Sequence, residues 1–319
     1  MNILFTTRLP QEGFTSLDEI HYDLIMPSAP CFTEEELCRL LPDADILVAT
    51  YDYPVKASML QCAERLRLIA NFGVGYNNID VVWAASHHIL VTNTPDPVIE
   101  PTAEHAFALM HTLAHRTAEL DRKLRMHDSP VRFGVMNNLG VSLYGKQLGI
   151  IGMGRIGQAL ARRAVAAGMT IVYHNRHMLP ETIEQRYNAK YADLTTLLRE
   201  SDYVSLNLPY TSEVHHLINA QTLQLMKPTA LLINTARGAH VDEKALIEAL
   251  ENKQIAGAAL DVYEHEPRIS EALKQLDNVV LSPHVGTGTW EGRLAMCRNV
   301  CDNILAFESR CIENMNIVS

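Results

Sequence analysis

The sequence has no C-x-x-C pair, although it contains six cysteines. Disulfide frameworks and zinc ribbons need cysteines at short, regular spacings, so the scattered pattern excludes both classes. Isolated cysteines are typical of a reducing compartment, and we expect a cytoplasmic protein. Cys297 and Cys301 are four residues apart and could share one face of a helix, but no further ligand lies nearby. We therefore expect them to pack in a core, and we predict no metal site.

The chain also lacks a basic segment and a long apolar run. It has 37 acidic and 27 basic residues, which gives a formal net charge of −10, and the basic residues form no block. Neither nucleic acid nor an anionic membrane is therefore an expected partner. No apolar run approaches the roughly 20 residues that a membrane-spanning helix needs. The first residues lead directly into an apolar strand pattern without the features of a signal peptide, so we expect a soluble, unprocessed protein.

Apolar runs alternate with helical patterns along most of the chain, which predicts α/β architecture with parallel sheets. Because 319 residues are many for one core, we expect two domains. Six strands are predicted within residues 148–281, as in a complete dinucleotide-binding fold. A turn-rich linker at residues 93–97 precedes a long helix that is predicted to continue to about residue 128. The last long helix, residues 290–308, lies outside the six strands, so the chain is expected to return to the first domain.

These patterns predict a division at the linker and after the sixth strand. Residues 98–286 would form a central Rossmann dinucleotide-binding domain. Residues 1–97 and 287–319 would form a second domain, which the family resemblance given below implies to be flavodoxin-like and to bind substrate. Each domain would contain a parallel sheet flanked by helices.

A glycine turn at residues 152–157 follows a buried strand and opens a helix within a predicted βαβ unit. Gly152 would allow the tight turn, Gly154 would let the backbone approach a pyrophosphate, and Gly157 would let the helix pack closely on the strand. Arg155 and Ile156 begin the helix, whose N-terminus would face the negative charge. The alternative is a glycine turn that binds nothing, but its position inside a βαβ unit favours dinucleotide binding.

A second glycine turn, formed by Gly73, Val74 and Gly75, follows an earlier strand. Backbone N–H groups in such a turn can hold a carboxylate. The glycines could equally do no more than permit the turn. The spacing alone leaves both interpretations open.

Three side chains suited to acid–base chemistry follow strands in the second half of the chain, where ligands bind in parallel sheets. Arg237 could bind a substrate carboxylate and polarise a carbonyl. His284 could donate a proton as the carbonyl becomes an alcohol, and Glu266 could keep that imidazole charged and oriented. Each residue also has a structural alternative: a cap or surface ion pair for Arg237, a solvated loop for Glu266, and core packing for His284. Asp261 could accept a hydrogen bond from a nicotinamide amide or cap a turn.

Taken together, the motifs resemble those of the D-isomer-specific 2-hydroxyacid dehydrogenases over residues 45–303. The motifs that carry the resemblance are Asn-Phe-Gly-Val-Gly at 71–75, Asn-Thr-Pro at 93–95, Gly-Ile-Ile-Gly-Met-Gly-Arg-Ile-Gly at 149–157, Asn-Thr-Ala-Arg-Gly at 234–238, Ala-Leu-Asp-Val-Tyr-Glu-His-Glu-Pro at 259–267 and Ser-Pro-His-Val-Gly at 282–286. The resemblance implies that His284 is the acid/base, that Glu266 is its carboxylate partner and that Arg237 anchors the substrate.

The same resemblance implies further contacts. Val74 and Gly75 would offer N–H groups to the substrate carboxylate, with Gly73 in the same turn. Asp261 would meet the nicotinamide carboxamide. Further cofactor contacts are expected at the other strand ends, from Leu208, Pro209, Thr235, Ala236, Arg237, His284 and Gly286. The family architecture is a substrate domain built from both chain ends and joined by a hinge to the nucleotide domain, and a homodimer through the nucleotide-binding domain is expected.

The sequence departs from the family pattern at two places. Asn175 and Arg176 stand where NAD-preferring members usually carry an acidic residue, so we expect a preference for NADP, with NAD as a second cofactor. The alternative is that Arg176 points to solvent. Asn77 stands where an aspartate is expected, which bears only on the detail of that loop.

The loop and the cofactor residues most resemble glyoxylate/hydroxypyruvate reductases, which reduce small 2-oxo acids. The alternative within the family is a D-lactate or D-3-phosphoglycerate dehydrogenase. The alternative from another class is an NAD(H)-sensing binding protein or corepressor on the same fold.

Overall fold

The computed structural model describes residues 1–17 and 20–318 and divides the chain into two compact units. The terminal unit comprises Met1–Val98 and Thr287–Ser319, and the central unit comprises Ile99–Gly286. Both ends of the chain therefore belong to the same unit. These bounds lie one residue from those predicted at the linker, and they coincide with the predicted division after residue 286.

The terminal unit contains a five-stranded parallel sheet in the order β2-β1-β3-β4-β5. Its strands are β1 (Asn2–Phe5), β2 (Asp23–Ile25), β3 (Ile46–Thr50), β4 (Leu68–Phe72) and β5 (Leu90–Thr92). Its helices are α1 (Glu34–Leu40), α2 (Ala57–Leu60), α3 (Val81–Ser86) and the C-terminal helix Trp290–Glu308, with 3₁₀ turns at Gln11–Phe14, Leu41–Asp43 and Ile312–Asn314. The capping box of Thr33 and Glu36 begins α1, which explains the acid-rich start of that helix.

The C-terminal helix buries one face in the terminal unit. Cys297 and Cys301 are fully buried on this face, which confirms that both cysteines pack in a core. A Cβ atom at Gly13 would lie 2.3 Å from Cys297 Cβ, so the helix approaches the turn at Gly13 as closely as a glycine allows.

The central unit contains a seven-stranded parallel sheet in the order β12-β11-β10-β9-β6-β7-β8. Its strands are β6 (Gln147–Ile151), β7 (Thr170–His174), β8 (Ala189–Tyr191), β9 (Tyr203–Leu206), β10 (Leu231–Asn234), β11 (Gly257–Leu260) and β12 (Val279–Leu281). Its helices are α4 (Ile99–Ala114), α5 (Thr117–Leu124), α6 (Arg155–Ala166), α7 (Glu181–Tyr187), α8 (Leu194–Glu200), α9 (Ala220–Leu223), α10 (Glu243–Glu251) and α11 (Glu271–Gln275), with 3₁₀ turns at Ser212–Val214 and Gly238–His240.

The prediction of six strands in this unit was wrong by one. The additional strand, β8, lies at the sheet edge beside β7, and only Ala189 of its three residues is buried. A strand this short, with exposed Lys190 and Tyr191, has no apolar run by which the sequence could reveal it.

The prediction of one long helix to about residue 128 was also wrong. The helix ends at Ala114, Arg116 adopts a left-handed conformation with φ of 57°, and α5 begins at Thr117. The carbonyl of Ala114 instead accepts a hydrogen bond from the N–H of Val141, at 2.9 Å. A contact with a residue so far along the chain ends the helix, and local sequence does not encode it.

The central sheet buries apolar side chains on both faces, as a parallel sheet does. Along β6, Ile150 belongs to one buried cluster with residues of α4 and α6, whereas its neighbour Ile151 belongs to the cluster on the opposite face. Within the described ranges, no helix is both long and apolar enough to cross a membrane.

Candidate active site

Polar segments follow β9, β10, β11 and β12, which are neighbours in the central sheet. Because these strands are parallel, their carboxyl ends lie on one edge, where ligands bind in open α/β sheets. Arg237 follows β10, Glu266 follows β11 and His284 follows β12. The sheet order therefore places all three sequence-predicted residues on the same edge.

His284 and Glu266 form an acid–base pair on this edge. His284 Nδ1 lies 2.8 Å from Glu266 Oε2, and Glu266 Oε1 accepts a hydrogen bond from the N–H of Tyr263, at 2.9 Å. Burial by itself would raise the pKa of Glu266, but the hydrogen bond to His284, the charge of His284, the Tyr263 N–H and the charge of Arg237 together hold that pKa below its ordinary value. The ionised carboxylate can accept a hydrogen bond from a protonated Nδ1, which orients the imidazole ring.

Arg237 lies in a turn whose backbone is fixed by Asn234. The side chain of Asn234 donates to the carbonyl of Arg237, at 2.9 Å, and accepts from the N–H of Ala236, at 3.0 Å. The guanidinium of Arg237 donates to the carbonyl of Ala236, at 2.6 Å, and its charge helps to lower the pKa of Glu266. A Cβ atom at Gly238 would lie 1.9 Å from the carbonyl of Tyr263, so only glycine fits after the arginine.

Asp261 holds the turn that carries His284. Its side chain is fully buried and accepts from the N–H of Val285, at 2.9 Å, and from the N–H of Gly286, at 2.8 Å. His284 itself has a φ of 53°, a left-handed conformation that a non-glycine residue adopts only when its surroundings enforce it. Asp261 thus positions the histidine, while its predicted contact with a nicotinamide carboxamide stays a prediction.

His105, on α4, supports the same turn and was missed by the sequence analysis. Its Nε2 lies 3.2 Å from Asp261 Oδ1 and 3.0 Å from Ser282 Oγ. Burial would raise the pKa of Asp261, but the hydrogen bonds to His105, Ser282 and Val285 hold that pKa below its ordinary value. No local motif marks His105, because its partner lies more than 150 residues away in the chain.

The glycine turn at residues 152–157 has the geometry of a dinucleotide cradle. Gly152 has a φ of 91°, and a Cβ atom there would lie 2.8 Å from the backbone of Asn207. A Cβ atom at Gly157 would lie 2.6 Å from the carbonyl oxygen of Gly152, whereas one at Gly154 would meet no atom within 4 Å. In the described part of the chain, the N–H groups of Gly154 and Ile156 donate to no acceptor. The turn therefore fits a pyrophosphate, with open space at Gly154 and donors at the start of α6.

Asn175 and Arg176 follow β7 and differ in their roles. Asn175 Oδ1 accepts from the N–H of Met153, at 2.7 Å, and so ties the end of β7 to the glycine turn. Arg176 is exposed and has no hydrogen bond or ion pair to any of the described residues. Its guanidinium is thus available to a ligand beside the turn.

The remaining predicted cofactor residues lie at the same strand ends. Leu208 borders the glycine turn, since its Cβ lies 2.8 Å from a Cβ built at Gly152, and Pro209 follows it as an exposed residue. Thr235 and Ala236 are buried after β10. Thr235 Oγ1 is buried without a hydrogen-bond partner among the described residues, which leaves a polar atom for a bound cofactor to satisfy.

The turn of Gly73, Val74 and Gly75 belongs to the terminal unit and follows β4. Asn71 Nδ2 donates to the carbonyls of Gly73 and Gly75, at 2.9 and 2.8 Å, and Asn93 Nδ2 donates to the carbonyl of Val74, at 2.9 Å. With its carbonyls held by side chains, the turn leaves the N–H groups of Val74 and Gly75 without an acceptor in the described part of the chain. Sequence reasoning identified the turn but not this clamp of two asparagines.

Known proteins are similar to this chain in sequence and in fold. Residues 107–286 match the family described as "D-isomer specific 2-hydroxyacid dehydrogenase, NAD binding domain". The chain is 43% identical over 311 residues to a glyoxylate reductase of Thermococcus litoralis, covering 96% of this chain and 93% of the relative. It belongs to the D-isomer specific 2-hydroxyacid dehydrogenase family.

Two solved structures of this family extend the comparison. A glyoxylate reductase from Paecilomyes thermophila matches with a TM-score of 0.85 and 31% identity, covering 100% of this chain and 97% of the other. The NADPH-dependent glyoxylate/hydroxypyruvate reductase of Sinorhizobium meliloti, solved with NADP and malonate, matches with a TM-score of 0.84 and 31% identity. The match covers 97% of this chain and 93% of the other.

Membership of the family confirms several predictions from the sequence. The resemblance, the α/β fold with a Rossmann nucleotide-binding domain and the reaction class are confirmed. The protein is an NAD(P)-dependent oxidoreductase that reduces 2-oxo acids and binds a nicotinamide dinucleotide.

Proposed function

We propose that this dehydrogenase reduces a small 2-oxo acid, glyoxylate or hydroxypyruvate, with His284 as the proton donor. The product is the 2-hydroxy acid, of D configuration where it is chiral. The observation that carries the proposal is the 2.8 Å contact between His284 Nδ1 and Glu266 Oε2, on the sheet edge that also carries Arg237. The relatives named as glyoxylate reductases support the choice of substrate.

Each residue has a defined task in this reaction. The reduced nicotinamide, when bound, supplies the hydride. Arg237 binds the substrate carboxylate and polarises the carbonyl, and His284 Nε2 gives a proton to the carbonyl oxygen. Glu266 stabilises the imidazolium before the transfer and keeps the ring oriented. As a separate proposal for the terminal unit, the N–H groups of Val74 and Gly75, in the turn that Gly73 completes, bind a carboxylate.

The pH dependence of reduction tests the role of His284. Reduction consumes a proton that the active site must donate, so kcat/KM should fall as the pH rises. His284→Gln should lower kcat by about a hundredfold or more and abolish this dependence. His127→Gln is the matched control, since His127 is exposed in the same unit and bears no proposed role. An unchanged pH profile in His284→Gln would contradict the assignment.

The preference for NADP is a further proposal, which rests on Asn175 and Arg176. A guanidinium that has no partner among the described residues can bind a 2′-phosphate, and the neutral amide beside it does not repel that group. NAD would be the weaker cofactor. The ratio of kcat/KM for NADPH and NADH checks this, with Arg176→Ala expected to weaken NADPH alone. A clear preference for NADH in the wild type refutes the proposal.

Other contacts to the dinucleotide are proposed from their positions. The N–H groups around Gly154, Arg155 and Ile156 bind the pyrophosphate, with Gly152 and Gly157 shaping the turn. Leu208, Pro209, Thr235, Ala236 and Gly286 line the cofactor at the strand ends, and Asp261 contacts the carboxamide.

We also propose a homodimer that forms through the central unit. A segment between α5 and β6 exposes large apolar side chains, foremost Phe133 and Val135, which are 91% and 94% exposed. Its other exposed apolar residues are Met126, Met136, Leu139, Val141 and Tyr144. Several large apolar side chains exposed within one segment are typical of an interaction surface. Light scattering should give the mass of a dimer for the wild type and of a monomer for Phe133→Asp; a monomeric wild type contradicts the proposal. The expected cytoplasmic location stays a prediction.

A further inference from the structure

Three side chains with metal-binding atoms meet in the central unit, outside the proposed active site. His215 and His216 follow the 3₁₀ turn Ser212–Val214, and Glu264 lies in the segment after β11. One ligand atom of each lies within 4.8 Å of those of the other two. His216 Nε2 is 2.6 Å from Glu264 Oε1, and the two imidazole rings stack with their centroids 3.9 Å apart.

Neighbouring groups already orient these side chains. Glu264 Oε2 accepts from the N–H of Glu243, at 3.2 Å, which fixes the carboxylate at the start of α10. The hydroxyl of Tyr210 lies 3.3 Å from His215 Nδ1. The backbone of His216 has a φ of 50° and is held by a hydrogen bond from its N–H to the carbonyl of Ala239, at 2.9 Å. Hydrogen bonds to the outer atoms of metal ligands are typical of built metal sites.

We propose that His215, His216 and Glu264 bind a zinc ion. Two imidazoles and one carboxylate are a donor set that zinc accepts, whereas magnesium and calcium prefer oxygen ligands. Bonds of about 2.0 to 2.1 Å in tetrahedral geometry place ligand atoms roughly 3.4 Å apart. The present separations, from 2.6 Å to at most 4.8 Å, bracket that value, so rotations of the side chains complete the site. Water takes the fourth position.

The site would join two segments that follow different strands. His215 and His216 belong to the chain after β9, and Glu264 belongs to the chain after β11. A zinc ion bound to both would cross-link them only in the folded state, so zinc should stabilise the protein against unfolding. This inference does not depend on the substrate or on the cofactor preference.

Zinc titration of the full, tag-free chain in a non-chelating buffer tests the proposal. The protein is first treated with EDTA and desalted, and binding is measured by calorimetry together with the change in Tm. The wild type should bind one zinc ion per chain and gain thermal stability. His215→Gln should weaken zinc binding roughly tenfold or more and remove the gain in Tm. Because His215 is exposed, this variant should match the wild-type Tm in EDTA.

His115→Gln is the matched control. It disrupts the other stacked pair, His111 and His115 on α4, whose ring centroids lie 6.0 Å apart. This variant should bind zinc as the wild type does. The proposal is overturned if the wild type binds no zinc or if His215→Gln binds zinc as tightly as the wild type. It is also overturned if His115→Gln, and not His215→Gln, loses affinity for zinc.

Discussion

The two glycine turns of this protein follow parallel strands in different units, and they present backbone N–H groups in different ways. In the central unit, the turn at residues 152–157 opens α6, and among the described residues the N–H groups of Gly154 and Ile156 have no acceptor. In the terminal unit, the turn at residues 73–75 opens no helix. Its carbonyls are instead held by Asn71 and Asn93, which leaves the N–H groups of Val74 and Gly75 as donors.

The two turns differ in which residues determine their geometry. The φ of 91° at Gly152 and the close approach of Gly157 to the carbonyl oxygen of Gly152 lie within the motif, although Gly152 also packs against the backbone of Asn207. The terminal turn depends on the side chain of Asn93, from the next strand end of the sheet. A ligand site can thus be encoded in one short motif, or in side chains that the fold brings together.

The largest expected effect concerns the central turn. Gly157→Ala would place a Cβ atom 2.6 Å from the carbonyl oxygen of Gly152, so the turn must shift. We expect a loss of stability of about 1–3 kcal/mol and a loss of NADPH affinity of about a hundredfold or more. Thermal unfolding and cofactor titration measure the two effects.

Gly154→Ala is the matched control for that variant. A Cβ atom there meets no protein atom within 4 Å, so Tm should equal that of the wild type. NADPH affinity should still fall by about tenfold, because the methyl group would occupy the space of the pyrophosphate. Wild-type affinity in Gly154→Ala would show that no pyrophosphate approaches this residue.

A smaller effect is expected from the clamp of the terminal turn. Asn71→Ala removes the hydrogen bonds to the carbonyls of Gly73 and Gly75, each worth about 1 kcal/mol. The KM for the 2-oxo acid should rise by about tenfold, while NADPH affinity stays unchanged. Asn93→Ala should act in the same direction but less strongly, since it loses one bond to the turn. A loss of NADPH affinity with an unchanged KM for the 2-oxo acid would contradict the assignment of the terminal turn to the substrate and the central turn to the cofactor.

The smallest structural change is Asn175→Asp. The carboxylate keeps an acceptor for the N–H of Met153, so the glycine turn should remain in place. The added charge should repel a 2′-phosphate and lower the NADPH-to-NADH ratio of kcat/KM by about tenfold. Kinetics with both cofactors measure it, and an unchanged ratio would mean that Asn175 does not face the ribose.

Sequence patterns predicted most of the fold because buried parallel strands are continuous apolar runs. The C-terminal helix has the predicted bounds, residues 290–308. The edge strand β8 was missed because it is short and largely exposed, and the end of α4 was missed because Val141 determines it from outside the helix. Both failures concern features that depend on neighbours distant in the chain.

In the candidate site, too, the features that depend on residues distant in the chain were not predicted. His284, Glu266 and Arg237 were found because each follows a predicted strand. The hydrogen bonds that hold the turn of His284 were not predicted. Asp261 and His105 make these hydrogen bonds, and no local motif encodes them. The zinc-binding cluster was also not predicted, since Glu264 lies 48 residues from His216.

The initial rate of NADPH oxidation with a panel of 2-oxo acids tests the central claim most directly. The panel should contain glyoxylate, hydroxypyruvate, pyruvate and 3-phosphohydroxypyruvate. We predict turnover with the highest kcat/KM for glyoxylate or hydroxypyruvate. Highest activity with pyruvate or the phosphorylated acid would instead indicate a D-lactate or D-3-phosphoglycerate dehydrogenase. Cofactor binding without oxidation by any acid would contradict the account and favour a nucleotide sensor.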